Sequence, residues 1–105
     1  MIDAPSYPVS IFIAGDYDRA RQICREFCMR VGACVTVTPT AFIYTGGEEN
    51  GVIIGFINYP RFPDEPVNIL SKAKTLAYDL MEGLCQHSYT IQTPTETHWH
   101  TRRPA

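Results

Sequence analysis

The chain has little charge of either sign to spare. It carries 9 Lys and Arg against 11 Asp and Glu over 105 residues, a net charge of −2. Nucleic-acid binders need a basic footprint that releases phosphate counterions, and the overall balance offers none. A strongly acidic nucleic-acid mimic is equally unsupported. No apolar run approaches the roughly 20 residues that span a bilayer, and no membrane is expected among the partners. The N-terminus has no signal-peptide pattern, so the cytoplasm is the expected compartment. None of the 4 cysteines, Cys24, Cys28, Cys34 and Cys85, falls in a C-x-x-C pair. That pattern argues against a structural zinc site and a disulfide framework, and for reduced thiols packed as small hydrophobes. No cofactor is expected.

What is present is an ordinary globular composition, 45% hydrophobic and 19% charged, without the low hydrophobicity and high net charge of disorder. The length fits one domain over residues 1–105, with a single modest core.

Met1 to Pro8 reads as a lead-in, and Val9 to Ala14 (VSIFIA) as a strand. Asp16 is a good N-cap. From Tyr17 to Val31, Ala20, Ile23, Cys24, Phe27, Cys28 and Val31 recur at helical spacing, and Gly32 ends the helix. A second strand follows in two pieces, CVTVT and AFIYT, split by Pro39. GGEENG (46–51) reads as a turn with Asn50-Gly51 as its turn pair, and VIIGFI (52–57) as a third strand. Pro66 suits the first position of a second helix, capped by Asp64 or Glu65 and running to about Gln86. Its apolar stripe is Leu70, Ala73, Leu76, Ala77, Leu80 and Leu84. A last strand starts at Ser88–Gln92 and continues past Pro94 through ETHWHT, with Arg102–Ala105 as a fraying end.

The order β-α-β-β-α-β resembles the ferredoxin-like two-layer sandwich, an α+β fold with a four-stranded antiparallel sheet and two helices on one face. That resemblance implies central first and third strands and edge second and fourth strands. The first and third are continuously apolar, and the other two carry proline within matching Thr-Pro-Thr tripeptides, 38–40 and 93–95. The fold hosts many functions, so it implies none by itself.

The candidate sites are few. GGEENG resembles phosphate loops in composition only. It joins two strands, and Glu48 and Glu49 would repel phosphate. Tyr44, Glu48 and Glu49 form one candidate binding group. NYPRFP supplies another in Tyr59, Arg61 and Phe62, residue types enriched at binding hot spots and stiffened by flanking prolines. Tyr59-Pro60 also suits a cis bond. Glu96, His98 and His100 alternate along a strand and therefore share a face, a pattern able to bind a transition metal. His87 sits at a helix end, where a cation is favoured. No nucleophile–base spacing stands out.

The central strands do not alternate. Val9, Ile11 and Ile13 oppose Phe12 and Ala14, while Val52, Ile54 and Phe56 oppose Ile53 and Ile57. One apolar sheet face is therefore left to be covered by a second copy of the chain, by the N- and C-terminal segments folding back, or by another protein. The expectation is a small non-catalytic interaction or ligand-binding domain, homodimeric through this face. The alternative is a small enzyme or metal protein using the Glu96/His98/His100 strand. The size and short tails are reminiscent of accessory proteins of bacteriophages, which bind and inhibit host proteins.

Overall fold

The computed structural model describes residues 1–104. Its elements run β1 (Val9–Ala14), α1 (Tyr17–Val31), β2 (Thr36–Tyr44), β3 (Gly47–Phe56), α2 (Pro66–Gly83), β4 (Ser88–Gln92) and β5 (Thr97–Thr101). The strands form one antiparallel sheet in the order β2-β3-β1-β4-β5. The α+β sandwich is therefore as expected, with a fifth strand added.

The fifth strand arises at Thr93–Glu96, where the chain reverses instead of continuing. The Thr93 hydroxyl accepts from the Glu96 N–H at 3.0 Å, and the Thr93 N–H donates to the Glu96 carbonyl at 2.8 Å. Pro94 supplies the fixed φ that the second position of such a turn favours. The fourth strand is thus inside the sheet, and its proline marks a turn rather than an edge. Pro39 does lie on an edge strand, opposite Val52.

Both helices pack on one sheet face. In α1, Asp16 caps the first turn by accepting from the Arg19 N–H at 2.8 Å, and Gly32 closes the last turn in the left-handed region at φ 73°. Ala20, Ile23, Cys24 and Phe27 are buried. In α2 the buried stripe is Ile69, Ala73, Leu76, Ala77, Leu80 and Met81, while Leu70 and Leu84 are only partly buried against it. Val9, Ile11 and Ile13 of β1, Val52, Ile54 and Phe56 of β3, and Ile91 of β4 meet these helices. Among the described residues no helix is long and apolar enough to cross a membrane.

The β2–β3 turn is shorter than GGEENG. It is Thr45-Gly46 alone, and Asn50 and Gly51 lie inside β3. Gly51 is needed there because the Phe42 ring lies across it from the neighbouring strand. A glycine followed by strand residues thus resembles a turn signal while marking a close approach. β1 pairs with β3 only as far as Ala14–Gly51. The ribbon beyond, Ala41–Asn50, has no third strand beside it and carries exposed Ile43 and Tyr44.

The other sheet face is open. Across it run Thr38, Ile53, Phe12, Thr90 and Trp99, and beside them Thr36, Gly55, Ser10, Gln92 and Thr97. None of these is charged. Trp99 is 68% exposed and Ile57 52%. The chain's end is anchored rather than frayed at Arg102. Its N–H donates to the His87 carbonyl, and its guanidinium holds Glu82 and the Gln86 carbonyl. Ala105, the last residue of the expected fray, lies outside the described residues.

Candidate functional site

The main concavity lies where α1 ends, β3 ends and α2 begins. It encloses about 460 Å³, within the range of small-molecule pockets. Three short stretches build it. Cys28 and Gly32–Cys34 come from the end of α1, Phe56–Tyr59 with Phe62 and Asp64 from the connection after β3, and Ile69 and Lys72 from the first turns of α2.

Asn58 holds these parts together. It is 9% exposed, so its amide must find partners inside the protein. Its Nδ2 donates to the Pro5 carbonyl at 2.9 Å, and its Oδ1 accepts from the Asp64 N–H at 2.9 Å. The lead-in, the end of β3 and the start of α2 are thereby fixed to one side chain.

Tyr59 and Phe62 face the cavity, joined by a turn in which the Phe62 N–H donates to the Tyr59 carbonyl at 2.8 Å. Tyr59-Pro60 is trans, against the expectation of a cis bond. Phe62 is 69% exposed, and the Arg61 guanidinium stands 5.3 Å from its ring centre. Cys34 chiefly, then burial, raises the Tyr59 phenol above its usual range. Burial, then Cys34, raises Cys28.

The polar end of the pocket is Asp64 with Lys72. Asp64 Oδ1 accepts from the Glu65 N–H at 2.8 Å and from Asn68 Nδ2 at 2.9 Å. Lys72 Nζ lies 3.5 Å from Asp64 Oδ2. The Asn68 amide chiefly, then the Glu65 N–H, hold the Asp64 carboxyl below its usual range, with Lys72 adding to them. The arrangement combines aromatic walls, one carboxylate and one ammonium.

The candidate residues fall into separate places. Tyr59 and Phe62 line the pocket, and Arg61 stacks beside it. Tyr44, Glu48 and Glu49 lie on the projecting ribbon, where Glu48 opposes Ile43 and Glu49 opposes Phe42. β3 runs from Gly47 to Phe56, which at about 3.3 Å per residue separates the two groups by roughly 30 Å. One small ligand on one chain cannot touch both.

The strand trio does not assemble as a metal site. His98 Nε2 lies 3.5 Å from Glu96 Oε2, but His100 packs on Tyr89 with ring centres 5.1 Å apart. Among the described residues no group of three His, Cys, Asp or Glu side chains is placed to hold a metal. The cysteines differ more than expected. Cys24 is buried, Cys28 half-buried, and Cys34 and Cys85 exposed, all free. His87 offers its carbonyl, which accepts from Arg102 and Thr101.

Sequence reasoning missed Asn58, Cys34 and Lys72 as pocket residues and took Asp64 only as a cap. One signal was available. Asp64, Asn68 and Lys72 recur every four residues, which sets them along one side of a helix start.

No protein-family model matches the chain, and no curated protein matches it either. Solved structures do. A phage SAM lyase in complex with S-methyl-5′-thioadenosine is 15% identical, with 96% of this chain and 93% of that one covered and a TM-score of 0.75. A phage SAM lyase in its apo state is 14% identical, with 94% and 91% covered and a TM-score of 0.71. Identity this low speaks for a shared fold. Both neighbours are enzymes of phage origin, and this overturns the expectation of a non-catalytic interaction domain. The small-enzyme alternative becomes the reading to test, without its metal strand.

Proposed function

We propose that this chain is a phage-encoded lyase acting on S-adenosylmethionine in the cytoplasm of the host. The observation that carries the reading is the likeness over 96% of the chain, at a TM-score of 0.75, to a SAM lyase that holds S-methyl-5′-thioadenosine. That molecule is the substrate without its amino-acid arm.

The chemistry asks for a site that holds a nucleoside, desolvates a sulfonium and keeps out water. The bond from sulfur to the arm breaks with its electron pair going to sulfur, which leaves a neutral thioether. The arm departs either by ring closure from its own carboxylate or with loss of a neighbouring proton. Product analysis separates the two routes. The pocket supports this reading by size and by lining. Tyr59 and Phe62 offer flat faces for the nucleobase or, by cation–π attraction, for the sulfonium. Apolar walls at Phe56 and Ile69 weaken the hydration of the cation, which favours loss of its charge.

The ribbon group, Tyr44, Glu48 and Glu49, enters the proposal through oligomerisation. We place a second copy of the chain against the open sheet face, which is uncharged and bears Phe12, Ile53 and Trp99. Interface cores are depleted of charge in this way. Tyr44 and Glu49 share the strand parity of Thr38 and Ile53, so they extend that face along the ribbon.

The test is direct. Purified protein incubated with S-adenosylmethionine should release S-methyl-5′-thioadenosine, detected by chromatography, and Tyr59→Ala with Phe62→Ala should abolish the excess over buffer. Absence of that product with folded wild-type protein sinks the lyase reading.

A further inference from the structure

Asp64 and Lys72 both line the pocket and are partly exposed, with side-chain accessibilities of 30% and 37%. Their bonds leave specific capacity unused. Asp64 Oδ1 is taken by Glu65 and Asn68, whereas Oδ2 has only the loose contact with Lys72 at 3.5 Å. An ammonium has three N–H groups, so Lys72 keeps donors to spare. The pair therefore offers an acceptor of negative charge beside a donor of positive charge, at a separation matching that between the ammonium and carboxylate of an α-amino acid.

This chemistry selects among ligands. A simple anion attracted by Lys72 meets Asp64, and a simple cation attracted by Asp64 meets Lys72. A zwitterion satisfies both. Tyr59 and Phe62 line the same cavity as the pair, so the pocket suits a molecule that carries both a flat ring and an amino-acid terminus.

We propose that Asp64 and Lys72 clamp the zwitterionic end of the substrate's amino-acid arm, Asp64 receiving its ammonium and Lys72 its carboxylate. The inference rests on the pocket being the nucleoside site proposed above. It adds a specificity device. The intact substrate is held at both ends, whereas the thioether product has lost the arm, is held at one end only and leaves more readily.

Two unreactive thioethers isolate the clamp. S-adenosylhomocysteine carries the zwitterionic arm, and S-methyl-5′-thioadenosine carries a methyl group in its place. Calorimetric titration of wild type, Lys72→Met, Asp64→Asn and Phe62→Ala with both ligands decides the matter, with folding checked by circular dichroism. Asp64→Asn keeps an acceptor for the Glu65 N–H, so the helix start survives. The clamp predicts that Lys72→Met and Asp64→Asn each weaken S-adenosylhomocysteine roughly 10- to 100-fold, the scale of a charged hydrogen bond. S-methyl-5′-thioadenosine should be unchanged in both and weakened only by Phe62→Ala. If Phe62→Ala weakens both ligands but Lys72→Met spares S-adenosylhomocysteine, or shifts both ligands equally, the clamp is wrong and the pocket stands. If Phe62→Ala changes neither ligand, the pocket is not the nucleoside site and the clamp falls with it.

Discussion

Replacing Gly51 with alanine would place a methyl group where three strands crowd together. A Cβ built there meets the Ile13 carbonyl oxygen at 2.5 Å and Phe42 Cδ2 at 2.9 Å, with Phe42 Cε2 closer still. The ring can swing away, but the Ile13 oxygen belongs to the backbone of the central strand β1 and cannot move without disturbing its pairing. Alanine relieves some unfolded-chain entropy, by about 0.5–1 kcal/mol. Overpacking of this kind costs about 1–3 kcal/mol, and a backbone clash puts it at the upper end. The net loss is about 2 kcal/mol. With a urea slope of about 1.5 kcal/mol per M, the unfolding midpoint should fall by roughly 1.3 M with the slope unchanged. Adding Phe42→Ala should recover only the part owed to the ring. Gly46→Ala is a useful contrast, since it meets no neighbour within 4 Å and is strained only by its φ of 92°. A Gly51→Ala midpoint within about 0.3 M of wild type would refute the close-approach account of β3.

Two further outcomes are expected. Burial chiefly pushes the Cys24 thiol up to about 12. Since the thiolate is the reactive form, Cys24 stays protonated and inert at neutral pH. A disulfide reagent should therefore modify Cys34 and Cys85 quickly, Cys28 more slowly and Cys24 only after unfolding; fast labelling of all 4 cysteines in the native state would contradict the burial. On the open sheet face, Trp99→Glu should leave the fold intact and convert an oligomer into a monomer by light scattering. Ile11→Glu, at 0% exposure in the core, should unfold the chain. A wild-type monomer at micromolar concentration would remove the second copy from the proposal.

Periodicity made much of the fold legible. The helical recurrence from Ala20 to Phe27, the caps at Asp16 and Gly32, and Pro66 at the start of α2 are local matters of backbone geometry, and each is where the sequence places it. The missed features depend on neighbours distant in sequence. Asn50-Gly51 carries turn residues but lies in a strand, because Phe42 needs the space above Gly51. Thr93–Glu96 turns because one hydroxyl closes it, while the matching tripeptide at Thr38–Thr40 runs straight along β3.

The amino-acid order alone determined that there are two helices on an antiparallel sheet whose two central strands carry apolar residues on both faces. Its period-2 and period-3.6 patterns fix which residues share a face, since those periods are properties of the backbone. Only the tertiary structure decided that Ile11 meets the helices and Phe12 the open side. It alone brought Asn58, Asp64, Lys72, Tyr59 and Cys34 around one cavity, and it alone set the acidic ribbon at the far end of β3. Apart from the four-residue spacing of Asp64, Asn68 and Lys72, these are through-space relations between the end of α1, the connection after β3 and the ribbon, created by packing and not by a local pattern.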